Sequence, residues 1–115
     1  MNVLISLDGA SHKIFARYAK RFVDRGFSHC EKLITTFPSV TFHAHATAIT
    51  GNRHNQHLVI DNVVAHSETL ERTELYHDHK ILCNEALHKQ TLFYSLHQNG
   101  VKSCSIHWPL TSGNR

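Results

Sequence analysis

A hydroxyl at Thr41, a carboxylate at Asp8 and a side-chain amide at Asn62 are the three groups in this chain best suited to work on a phosphoryl centre. A hydroxyl is a weak nucleophile until a base or a metal lowers its pKa. A carboxylate such as Asp8 can hold that metal, and an amide such as Asn62 can donate to a phosphoryl oxygen as charge redistributes in the transition state. If Thr41 opens a helix, its hydroxyl lies beside backbone N–H groups that lack intrahelical partners, where the local field favours negative charge. The spacings, 33 residues from Asp8 to Thr41 and 21 from Thr41 to Asn62, are not diagnostic by themselves. The same residues also read as a helix cap at Thr41 and a turn residue at Asn62.

Histidine is the other conspicuous chemistry, with twelve in 115 residues. His43 and His45 share a side only on an extended segment, His54 and His57 converge across one helical turn, and His77 and His79 converge on a strand or loop. Imidazoles of this kind suit zinc, nickel or copper. None of the pairs has the ligand count or recurring spacing of a structural zinc site, so packing or solvent-facing roles come first for each. A small His-rich metal-binding or interaction protein without catalysis is the alternative functional reading. Cys30, Cys83 and Cys104 are odd in number and far apart. They fit free or buried thiols in a reducing compartment better than a disulfide framework.

Elements must bring these groups together. Residues 2–7 read as a buried strand with Asp8 at its carboxyl end, and Ser11 stands where it can cap a following helix. In that helix Ile14, Tyr18 and Phe22 recur every four residues beside Phe15, Ala19 and Val23, and Gly26 terminates it. Pro38 favours an extended approach to Thr41, and the alanines of residues 42–49 permit a short helix ending near Gly51. Residues 58–60 suit a strand or buried turn, residues 67–76 a helical turn or two, residues 85–98 a helix stopped by Asn99-Gly100, and residues 101–108 an alternating strand. Strand, helix and acidic junction together predict an α/β architecture, whose sites gather at the carboxyl ends of strands.

A chain of this length can form one modest domain, and its 41% hydrophobic content is compatible with a folded core. Residues 1–30 carry five Lys or Arg against two Asp, while residues 31–115 balance at seven and seven. The basic excess reads as a solvated helix face, with no motif for specific nucleic-acid binding. The apolar stretch after Met1 is too short for a signal peptide or a membrane span, so the expected location is cytoplasmic.

The ordered pieces VLISLDGA at 3–10, FPSVTFHAH at 37–45, TGNRHNQHLVIDN at 50–62 and TLFYSLHQNGVKSCSIHWPLTSG at 91–113 resemble the type I phosphodiesterase and nucleotide pyrophosphatase family of the alkaline phosphatase superfamily. The resemblance covers nearly the whole chain, with little contributed by residues 66–90. It implies that Asp8 is a metal ligand, Thr41 a metal-bound nucleophile that is transiently phosphorylated, and Asn62 a phosphate contact. His45 and His57 match histidines of the family pattern and are expected to support the site, His57 by stabilising a turn. The implied cofactor is a pair of zinc ions, and the implied substrate a phosphate ester or nucleotide.

Three positions depart from the family pattern: His43 and His54 stand where it has proline, and Leu58 where it has glycine. The family draws its remaining metal ligands from well downstream of the asparagine. The Asp78-His79 pair comes too early to serve. The resemblance therefore implies an amino-terminal fragment: a single truncated alkaline-phosphatase-like domain over 1–115, with a partial, mostly parallel sheet and flanking helices. Activity of the isolated chain is expected to be weak or absent. Exposed strand edges in such a fragment would favour self-association, and the parent family is exported or membrane-associated in some members.

Overall fold

A computed structural model describes residues 2–30, 33–65, 68–76 and 87–111 of the chain. It divides into two compact units, Met1–Ile34 and Thr35–Arg115.

In the first unit the four-residue recurrence becomes α1, His12–Val23. Ser11 occupies the N-cap position with extended backbone but makes no side-chain cap hydrogen bond. Lys20 and Arg21 lie in the last turn, where positive charge meets the carbonyl end of the helix dipole. Phe15 stacks on Phe22 at 5.6 Å, and Phe27 turns back to meet the Phe22 ring edge-on at 5.9 Å. That return is made through Gly26 at φ 87°, a conformation glycine adopts without a Cβ penalty. Ala19 is buried, whereas Ile14, Tyr18 and Phe22 remain exposed.

The second unit is built around α2, Thr41–Thr50. Alanine-rich sequence without internal breakers lets it form, and Gly51 at φ 66° ends it with its N–H on the Thr47 carbonyl. One face, Phe42, Ala46 and Ile49, is buried. Phe42 and Ala46 join Val59, Leu75 and Leu110 in the core, with Val64 and Leu87 packed against it. After α2 come the single turn α3, His54–His57, and then β1, Val63–Ala65, paired antiparallel with β2, Arg72–Glu74. The last element, α4, Leu92–Gln98, is capped by Thr91 Oγ1, which accepts from Tyr94 N–H at 3.2 Å.

The departures from expectation have one physical theme. Strands are defined by partners, and alternation alone does not supply them. The described sheet is two-stranded and antiparallel rather than mostly parallel. Residues 2–7 and 101–107 join no ladder and are exposed. Within the segment read as helical turns, 72–74 instead forms β2, where Thr73 is buried opposite Val64. Residues 58–60 form no strand, and of the three only Val59 is enclosed, Leu58 and Ile60 being exposed. The late helix begins at Leu92, directly after Thr91, whose side chain caps it, and residues 87–91 are not helical. His66, His77, Asp78, His79 and Cys83 lie outside the described residues.

Candidate functional site

Thr41 is the first residue of α2. The N-cap position belongs to Val40, at φ −98° and ψ 155°, whose side chain cannot accept a hydrogen bond. A helix start without a local cap leaves amide donors open. Asn62 meets one of them from twenty residues downstream: its Oδ1 accepts from Phe42 N–H at 3.0 Å. The Asn62 carbonyl in turn accepts from Leu75 N–H at 3.0 Å, which ties the capping residue to the end of β2. Thr41 and Asn62, both half-buried, are thus joined through one backbone amide. The helix-cap alternative falls on Asn62 rather than on Thr41.

His45 sits one turn into α2. Its Nδ1–H donates to the Thr41 carbonyl at 2.7 Å, and its ring meets Trp108 edge-on at 5.0 Å. The Trp108 Nε1–H is buried and has no hydrogen-bond partner among the described residues. Asp8 lies in the exposed turn before α1, in the first unit, where its Oδ1 accepts from Gly9 N–H at 3.0 Å.

Among the described residues, the two histidines with no exposure, His43 and His57, are held by hydroxyls that the sequence reading did not single out. His43 Nδ1–H donates to the Pro38 carbonyl at 2.7 Å, and its Nε2 pairs with Thr36 Oγ1 at 2.8 Å. The side chain therefore reaches back to the segment that delivers Thr41. His57 Nδ1 accepts from Val59 N–H at 3.1 Å, so in the neutral ring Nε2 carries the hydrogen and donates to Thr47 Oγ1 at 3.0 Å. This arrangement spans Leu58, which ends α3 at φ 63°. Burial, followed by the nearby His43 and His54, pushes the His57 pKa below its ordinary value.

A family model for type I phosphodiesterase / nucleotide pyrophosphatase matches residues 2–114. The chain belongs to that family. No curated protein and no solved structure gives a significant match. Phosphodiesterases and nucleotide pyrophosphatases of this family act on phosphate esters and nucleotides and are typically metal-dependent. Among the described residues no group of three or more His, Cys, Asp or Glu side chains could hold a metal ion. The donor chemistry gives a reason: the lone pairs of His43 Nε2 and His57 Nδ1 are taken up by Thr36 and Val59. The described residues therefore do not fit a two-ion centre. Among them, too, no helix is long and apolar enough to cross a membrane.

Proposed function

We propose that this chain carries the nucleophile-bearing part of a phosphodiesterase or nucleotide pyrophosphatase site within an alkaline-phosphatase-like domain. Thr41 Oγ1 attacks phosphorus, an O–P bond forms to threonine, and the ester or pyrophosphate bond to the leaving group breaks. The hydroxyl proton leaves Thr41 and the departing oxygen is protonated. Water then hydrolyses the phosphothreonine and restores the hydroxyl. Asn62 donates its Nδ2 amide to a phosphoryl oxygen, a role that is strongest where charge builds up on that oxygen.

The observation that carries this reading is the bond from Phe42 N–H to Asn62 Oδ1, which holds the amide beside the residue after Thr41 and leaves Nδ2 as the donor end. The positive end of α2 adds a field that favours a phosphate. The family pattern, rather than any geometry, supports Asp8 and Thr41 as metal contacts and zinc as the ion. One carboxylate cannot hold two ions while activating Thr41, so turnover by this chain is expected to be weak. In the proposed architecture residues 2–7 enter a mostly parallel sheet.

The test is hydrolysis of bis-p-nitrophenyl phosphate with and without added zinc, comparing the chain with Thr41→Ala. Weak zinc-stimulated turnover that disappears in the variant is the expected result. Turnover that persists in Thr41→Ala overturns the nucleophile assignment. No turnover from a cooperatively folded, zinc-loaded chain overturns catalysis by this polypeptide.

A further inference from the structure

Three imidazoles gather behind α2: the His43 ring lies 5.6 Å from both His54 and His57. Their hydrogen bonds are not equivalent. Thr36 Oγ1 can donate to His43 Nε2 or accept from it, so that contact is compatible with either protonation state of the ring. His57 has no such latitude at Nδ1. Its partner is the Val59 backbone N–H, which can only donate. A proton on Nδ1 turns an acceptor into a second donor facing a donor, inside a site with no solvent exposure.

The groups around His57 offer no compensation. His43 faces it from α2, and His54 lies at the start of its own turn. Both are cationic when protonated, and no carboxylate among the described residues pairs with His57. Thr47 Oγ1 is neutral, and His88 reaches the cluster only by donating its backbone N–H to the His57 carbonyl at 3.4 Å.

We infer that His57 is an acid-release latch: proton uptake at Nδ1 detaches the Val59 amide and frees the turn between α3 and β1. What the latch holds is considerable. Val59 is a fully buried core residue, Leu58 between them has a left-handed backbone, and Asn62 follows three residues later. Opening this turn withdraws Val59 from Phe42, Ala46, Leu75 and Leu110 and takes the cap from the start of α2. The switch is a property of the fold and does not depend on Thr41 attacking phosphorus.

The sign follows from linkage. A histidine whose folded pKa is lowered contributes its full stability above the unfolded value of about 6.5 and loses it as pH falls below that value. Nitrogen-15 NMR on the full chain tests the latch. At neutral pH His57 should show the Nε2–H tautomer, and below pH ~6.5 the protection of the Val59 amide should fall about tenfold per unit, one proton being linked to opening. In His57→Gln, which keeps an acceptor and a donor without a titratable group, that dependence should flatten while Thr41→Ala retains it. An Nδ1–H tautomer in the wild type, or Val59 protection unchanged between pH 7 and 5, overturns the latch. If His57→Gln does not fold, those wild-type measurements still decide the matter.

Discussion

Asn62 uses one side-chain oxygen to cap α2 and keeps its amide for another task, so substitutions here separate structure from chemistry. Asn62→Ala removes the acceptor and should cost about 1 kcal/mol, the usual loss for a helix cap. Asn62→Asp retains an acceptor and adds negative charge at a helix start, so its urea midpoint should match or exceed that of the wild type. It loses the donor, however. Any zinc-stimulated hydrolysis by the wild type should therefore fall in Asn62→Asp despite intact stability. Denaturation and hydrolysis measured on the same preparations check both halves. Equal destabilisation by the two variants would show that the capping bond contributes nothing.

Among the elements, the four-residue turn α3 is closed by a strained residue. Its exposed C-cap, Leu58, adopts φ 63°, a left-handed backbone that a side chain with a Cβ disfavours by roughly 1–2 kcal/mol. Leu58→Gly relieves that strain and loses little burial, against the greater flexibility of glycine in the unfolded chain. The expected outcome is a net gain of up to about 1 kcal/mol, read as a higher urea midpoint with unchanged slope. A loss of stability would mean that the Leu58 side chain packs more favourably than its exposure indicates. This element also marks where the sequence was legible. Leucine at a position where the resemblance has glycine pointed to strain, and a positive φ is found there. α1 and α2 were equally readable, because four-residue periodicity, alanine content and terminal glycines act locally. The cap from Asn62 and the hydroxyl partners Thr36 and Thr47 were not. They depend on residues that approach only once the chain has folded. β2 was misread because residues 67–76 are polar and carry no strong period. Its strand character comes from pairing with β1.

At the scale of the whole molecule, the feature with the widest consequence is the row of exposed apolar side chains Val3, Leu4, Ile5 and Leu7. Exposed apolar residues of strand propensity that join no ladder among the described residues present a surface that another chain can cover. Association that increases with concentration is expected in sedimentation, and Ile5→Lys should weaken it by placing charge on that surface. A chain that remains monomeric at high concentration would contradict this. The family was recognisable because short motifs keep their order over nearly the full length, which does not require a complete sheet or metal centre. The antiparallel pairing of β1 with β2 was not legible, since a ladder is a relation between strands rather than a property of any one segment.

One further consequence belongs to the bond between Phe42 and Asn62. An amide at the start of a helix ordinarily exchanges with solvent early, because nothing in the helix protects it. Here its shield is a side chain from beyond α3, so the Phe42 proton acts as a built-in reporter on a distant turn. Its exchange rate registers whether residues 58–62 are docked, with no label attached and without disturbing the threonine beside it.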